Sequence, residues 1–245
     1  MFKKKLAALT AAALITLSSS SAFAVFADLE LIRVYYDRVG NEYGTDLGGV
    51  KNIFPSMGNQ PGGAFAGSFG DLSTGYAVYF AFDRTTNQLW ASGSTTTPSV
   101  IVGGVAGFAG IKDGTQAMYS LYNTQGGTNY TGPVSNPNSY KNKLSTPQGS
   151  LSGSINSATR MNTEMSLNGL IGVAGQSRTQ ALYYWNNVLT TVAAEKIGIE
   201  VAKITTYSDG STVIATAATP IPPAFILMGF GLMGMFGLRR RQTVT

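Results

Sequence analysis

The sequence predicts a mainly β fold, a single antiparallel sandwich or jelly-roll-like domain over residues 25–219. Three observations carry that expectation. Short segments alternate large and small or apolar and polar residues with the two-residue period of a strand. Turn residues rich in Gly, Asn, Asp and Ser separate them. The chain has no Cys and about 195 residues between its two ends, enough for one core held by packing alone.

Leu29 to Tyr36 is rich in β-branched and aromatic residues and reads as the first strand. Gly40-Asn41 makes a turn, after which Tyr43 to Leu47 pairs back. Tyr76, Val78, Phe80 and Phe82 then alternate with Ala77, Tyr79 and Ala81, which puts the larger side chains on one face. Asp83–Asn87 turns the chain and Gln88–Ser92 returns as the second arm of a hairpin. From Met161 to Val173, Met161, Thr163, Met165, Leu167, Gly169, Ile171 and Val173 occupy every other position, with Asn162, Glu164, Ser166 and Asn168 between them, so a further half-buried strand is expected, although Met and Leu leave a helix open. The last hairpin joins Ile197–Tyr207 to Ser211–Ala217 through Ser208-Asp209-Gly210, a strong tight-turn signal. Helices of moderate length are expected only at Thr115–Asn123 and Gln180–Ala194. Pro55–Ser73, Gly93–Thr97 and the long polar stretch Asn123–Ser154 read as loops.

Both ends have a different character. Lys3, Lys4 and Lys5 precede an apolar run from Leu6 to Leu17, and Ala22-Phe23-Ala24 supplies a small-x-small site. That layout is a secretory signal peptide over residues 1–24, cut after Ala24, with a bond after Ala27 as the alternative. It implies the Sec translocon and signal peptidase as partners. At the other end, Pro220-Ile221-Pro222-Pro223 leads into an uncharged apolar run, Ala224–Leu238, closed by Arg239, Arg240 and Arg241. As a helix that run spans ~22 Å at about 1.5 Å per residue, extended by Ile221 and by arginines that reach the headgroups. An arginine cluster after an apolar segment stays in the cytoplasm, so residues before Pro220 face outward.

The proline-bounded start, the Gly-spaced apolar helix and the arginine stop make residues 220–245 resemble a PEP-CTERM sorting tail. Ile221 stands where that family often has the glutamate of Pro-Glu-Pro. The resemblance implies a Gram-negative cell and an exosortase-like transpeptidase that cleaves near the prolines. It also implies transient or permanent residence in the inner membrane, then the cell surface or matrix, in a setting of exopolysaccharide or biofilm. Gly229-Phe230-Gly231-Leu232-Met233-Gly234 matches the dinucleotide fingerprint in spelling. It lies inside the apolar run and not at a strand-to-helix turn, so helix packing is the better use of its small residues.

Composition excludes several chemistries. The formal charge of +5 comes from the ends; between Val25 and Thr219 there are 11 basic against 12 acidic residues, so charge-driven nucleic-acid binding is not indicated. The absence of His and Cys removes Ser-His-Asp and Cys-His catalysis and the usual zinc sites. Gly103–Gly110 is glycine-rich but lacks the Gly-Lys-Ser/Thr ending of a phosphate loop. No cofactor or metal is expected.

Tyr183-Tyr184-Trp185 beside Asn186-Asn187 is the carbohydrate-stacking candidate, although strand alternation puts Tyr184 on the face opposite to Tyr183 and Trp185. Asp37, Glu42 and Asp46 offer oxygens to Ca²⁺ without the spacing of a known loop, and solvated turn carboxylates are the plainer use. Asp71, Asp83, Glu164 and Glu195 are the carboxylates from which a glycosidase pair would have to come, and nothing local marks a pair. The expected function is therefore that of a non-catalytic surface or matrix protein. A carbohydrate-binding module is the alternative, and a polysaccharide-active hydrolase a weaker one.

Overall fold

A computed structural model describes residues 26–53, 62–93, 105–145, 151 and 163–216. Among these residues ten strands form one antiparallel sheet. They are β1 (Glu30–Tyr36), β2 (Asn41–Gly49), β3 (Gly63–Phe65), β4 (Tyr76–Asp83), β5 (Gln88–Gly93), β6 (Asn129–Pro133), β7 (Met165–Ser166), β8 (Ser177–Trp185), β9 (Ile199–Tyr207) and β10 (Thr212–Thr216). The order is β3-β10-β9-β8-β5-β4-β1-β2-β6, with β7 paired to the end of β4. Among the described residues it is punctuated by the helices α1 (Val50–Ile53), α2 (Val105–Tyr122) and α3 (Tyr140–Lys143).

The hairpins follow from local chemistry. Asp37 Oδ1 accepts the amides of Val39 and Gly40, which folds the chain back so that Tyr36 meets Glu42. Gly210 has φ +85 and closes the β9–β10 turn, where a side chain would collide with the backbone of Ser68.

The sheet curls strongly. β1 and β10 are five steps apart along the strand order, yet Tyr35 Oη is 3.1 Å from Thr212 Oγ1 and donates to the Gly210 carbonyl at 3.0 Å. The two halves of the sheet therefore face each other as in a sandwich, while hydrogen bonding runs unbroken from one half to the other. The β class and the antiparallel pairing are as the sequence predicts, with one curled sheet in place of two.

Curling divides the core into two layers. The concave layer holds Leu31, Tyr35, Ala77, Tyr79, Ala81, Leu182, Ala202, Ile204 and Ile214, with Phe69, Leu72, Leu167 and Leu170 filling it from the connections. The convex layer packs Ile32, Val34, Tyr36, Val78, Phe80, Phe82, Tyr183 and Trp185 against Ile111, Met118, Tyr119 and Tyr122 of α2. Burying an aromatic side chain there is worth about 2–3 kcal/mol. β4 shows the division well: Val78, Phe80 and Phe82 meet the helix, while Ala77 and Ala81 fit the tighter inside of the curl.

Three expectations need correction. Gln180–Ala194 is not a helix, because its first half belongs to β8, which runs between β5 and β9. Both faces of β8 are buried at its C-terminal end, so Leu182 to Trp185 shows an unbroken apolar block instead of polar alternation. The expected strand over Met161–Val173 shrinks to Met165–Ser166 among the described residues. From Leu167 the chain makes three successive turns, in which Leu170, Val173 and Gln176 donate to Leu167, Leu170 and Val173 at 3.0, 3.3 and 3.2 Å. Gly169, Gly172 and Gly175 take the left-handed third position of each, with φ +73, +76 and +76. The period is three, and the alternation of two was coincidental.

The third correction concerns the loops. α2 begins ten residues before the expected start at Thr115 and takes in much of the Gly103–Gly110 stretch. Gly114 lets this helix approach α3, since a Cβ there would lie 3.1 Å from the Lys143 carbonyl. The polar stretch Asn123–Ser154 contributes β6 and α3 and buries Tyr130, Val134, Tyr140 and Leu144. Pro55–Ser73 contains β3.

At Gly44 on β2, α2 approaches the sheet closely. A Cβ there would sit 2.3 Å from Tyr122 Cε2, and that ring is stacked on Tyr130 with centroids 4.2 Å apart. Gly44→Ala is expected to destabilise the domain by about 1–3 kcal/mol through this overpacking. A thermal melt identical to wild type would contradict the seating of α2 described here.

Candidate functional site

The convex face of β1 and β2 carries an unusual set of side chains for the underside of a helix. Alternation brings Glu30, Ile32, Val34 and Tyr36 of β1 to one face beside Glu42, Gly44 and Asp46 of β2, the ladder pairing Ile32 with Asp46, Val34 with Gly44 and Tyr36 with Glu42. Tyr119 and Tyr122 come down from α2, Tyr130 enters from β6, and Tyr140 enters from α3. Carboxylates and phenols thus form a polar layer inside an apolar one.

Glu42 is the centre of this layer and is fully buried. It accepts hydrogen bonds from the Tyr140 amide at 3.0 Å, the Lys141 amide at 3.4 Å and Tyr122 Oη at 3.1 Å. Those three donors favour the ionised carboxylate, but burial disfavours it more, and the balance lifts the group to about 7. Ser139 caps the same short helix by accepting the Asn142 amide. Alongside, Tyr140 Oη donates to Glu164 Oε1 at 3.2 Å, Arg38 lies 3.6 Å from Glu164 Oε2, and Tyr36 Oη meets Ser145 Oγ at 2.6 Å. Burial holds Tyr122, Tyr140 and Tyr36 far above the ordinary phenol range, so these hydroxyls remain proton donors.

A second pair lies toward the other end of the helix. Glu30 and Asp46 are carboxylates of the same region, where the β1–β2 ladder shifts register, and Asp46 Oδ1 accepts the Gly48 amide at 2.7 Å. Burial first, and then the Asp46 charge, push Glu30 up to about 7, and burial also raises Asp46. Next to it, Arg84 Nε contacts Asp28 Oδ1 at 2.6 Å.

The concave layer has its own polar centre. Arg33 is 2% exposed and forms no ion pair among the described residues. Its guanidinium donates to the carbonyls of Ala66 at 2.8 Å and Gly210 at 3.4 Å and to the hydroxyls of Thr212 at 3.0 Å and Thr45 at 3.3 Å. Tyr79 Oη bridges Thr206 and Thr212 at 2.7 and 2.9 Å. Arg33 therefore ties β1, the segment before Phe69 and the β9–β10 turn together across the curl.

The structure distributes the sequence candidates widely. Tyr183 and Trp185 enter the convex core and Tyr184 the concave one, with 0%, 1% and 7% exposure. Trp185 Nε1 donates to the Lys196 carbonyl, and Tyr184 packs on Trp90 with centroids 4.7 Å apart. Stacking on a sugar needs an open ring face, and none of the three rings presents one. Asp37 is a turn cap, while Glu42 and Asp46 serve different partners. Among the described residues no three Asp, Glu, His or Cys side chains converge as a metal-ligand set. Asp71 accepts from Tyr43 and Asn41, Asp83 caps Thr85 and Thr86, Glu164 accepts from Tyr140, and Glu195 accepts from Thr190. Ala22, Ala24, Pro220, Ile221, Pro222, Pro223, Arg239, Arg240, Arg241 and the apolar run 224–238 lie outside the described residues. No helix among the described residues is long and apolar enough to cross a membrane.

Sequence reasoning missed Arg33, Tyr79 and the Glu30–Asp46 pair. An arginine inside the apolar strand Leu31–Tyr36 was the available signal, since a charge there needs buried acceptors. No known protein family, curated protein or solved structure matches the chain.

Proposed function

We propose that this chain is an exported cell-surface or extracellular-matrix protein, sorted by an exosortase-type system, whose role is interaction or structure and not catalysis. The observation that carries the reading is the C-terminal tail: Pro220-Ile221-Pro222-Pro223, the apolar run 224–238 and Arg239–Arg241. The N-terminal segment 1–24 supports it as a signal peptide, and residues 224–238 are read as a single membrane-spanning helix. The Sec translocon, signal peptidase and an exosortase-like transpeptidase are the implied processing partners. Extracellular polysaccharide is the implied setting.

Two features of the domain accord with this role. Between the ends the charge is balanced at 11 basic to 12 acidic residues, which suits a protein released into a polymer matrix better than one that grips an anionic polymer. The carboxylates Glu42 and Glu164 are enclosed beneath aromatic side chains and serve as hydrogen-bond acceptors there.

Fractionation of the native cell tests the proposal. The wild-type chain is expected in the surface and extracellular-matrix fractions, and a variant ending at Thr219 is expected in the periplasm. Equal distribution of the two would remove the sorting role of the tail.

A further inference from the structure

We propose that the side-chain amide of Gln125 is a built-in guard on the free edge of β6, standing where a strand from a second copy of this chain would otherwise pair. β6 is the last strand of the sheet, with β2 on its inner side. The Thr128 carbonyl accepts the Asp46 amide and the Val134 amide donates to Gly40, so the peptide groups of the even-numbered residues point inward. Those of Asn129, Thr131 and Pro133 therefore point away from the sheet. Proline has no N–H to offer at the last of these. Thr131, at the centre, is left to both donate and accept.

Gln125 takes both of those bonds. Its Oε1 accepts the Thr131 amide at 3.0 Å and its Nε2 donates to the Thr131 carbonyl at 2.5 Å. A primary amide offers the same donor and acceptor as a peptide unit, so the side chain copies one rung of a neighbouring strand. The local backbone brings it there. Asn123–Gln125 forms a 3-10 turn at the end of α2, and Gly126 and Gly127, with φ +68 and +77, reverse the chain into β6. Other protection is scarce, because charged side chains usually blunt an edge and none occurs from Gly114 to Tyr140. Asn129 and Thr131 are exposed and uncharged, so two copies meet no charge repulsion at this edge. Without the guard, two β6 strands related by a two-fold axis through Thr131 pair antiparallel, each Thr131 giving its N–H to the other's carbonyl. The opposite end of the sheet is β3, a strand of only three residues and too short for such a ladder.

The chain has no Cys, so a single introduced thiol reports the contact. Thr131→Cys keeps the backbone groups and puts that thiol at the two-fold axis of the expected pair. The full-length chain carrying it, in mild detergent under mild oxidation, is expected to run as a monomer on a non-reducing gel while Gln125 is present. Adding Gln125→Ala is expected to raise the cross-linked dimer about tenfold, since the guard's two hydrogen bonds no longer compete with the partner strand. Gln125→Glu still accepts the Thr131 amide, cannot donate to the carbonyl and adds a charge to each edge, so it keeps the chain single. Asp113→Cys, on the exposed side of α2, is expected to cross-link equally in all three backgrounds, which sets apart any association through the tail. Hydrogen exchange gives a second readout that does not depend on a folded variant. In the wild type the Thr131 amide is expected to exchange about tenfold more slowly than the Asn129 amide, which faces the same way. Equal cross-linking of Thr131→Cys with and without Gln125, or equal exchange at the two amides, would overturn the guard and leave Gln125 as a brace for the turn alone.

Discussion

Replacing Glu42 by alanine is expected to lower the stability of the domain by about 3 kcal/mol at pH 5, with far less loss for glutamine. Alanine strands the Tyr140 amide, the Lys141 amide and the Tyr122 hydroxyl under the helix, and each hydrogen bond contributes about 1 kcal/mol net. The same carboxylate gives a pH dependence with a definite sign. Its pKa rises from an ordinary 4.5 to about 7 on folding, so between those values the folded chain binds more protons than the unfolded one. Stability from this group is fully present below pH 4.5 and declines as pH rises through 7, by ~3 kcal/mol in all. Glu30, also raised to about 7, and Asp46, raised as well, add to the same decline. Asp83 and Asp209 are lowered and act in the opposite sense only in stronger acid. Denaturant unfolding from pH 4.5 to 8 is therefore expected to show falling stability, with a shallower fall in Glu42→Gln. A flat profile in the wild type, or an unchanged slope in the variant, would contradict the burial of this side chain.

Arg33→Ala is expected to cost about 4 kcal/mol, a large share of the ~5–15 kcal/mol that holds a domain together. The substitution opens a cavity inside the curl and leaves the Ala66 and Gly210 carbonyls without their donor. Arg33→Met keeps the volume and removes a buried charge, so its loss is expected to be about half as large. Hydrogen exchange locates the effect, because amides of the β9–β10 turn and of residues 66–70 should lose protection before those of β4 and β5. If alanine left the unfolding midpoint in place, the guanidinium would not be the tie that closes the curl.

What the sequence disclosed depended on how far each feature reaches along the chain. The β9–β10 hairpin was legible because Asp209-Gly210 defines its own turn, and the first hairpin because Asp37 and Gly40 do the same. β8 was not, since burial of both faces erases the two-residue alternation that marks a strand at a surface. The Leu167–Gln176 turns concealed a period of three within a stretch that also satisfies a period of two. Glu42 and Arg33 were beyond local reading for another reason. Their partners lie 98 and 177 positions away, and only the curl of the sheet and the descent of α3 bring them together. The aromatic trio Tyr183, Tyr184 and Trp185 was legible as chemistry but not as placement, because the neighbours that bury it come from β5, β9 and the convex layer.

The export reading rests on residues at the two ends of the chain, so its most direct test is the covalent state of those ends. Intact-mass spectrometry of the protein from the outer fractions of the native cell, beside a strain lacking the exosortase-like transpeptidase, reads both at once. The expected result is a wild-type mass without residues 1–24 and without the tail beyond the Pro220–Pro223 region, and a mutant mass that retains the tail. A tail still present in both strains would contradict transpeptidase sorting and make residues 224–238 a permanent anchor.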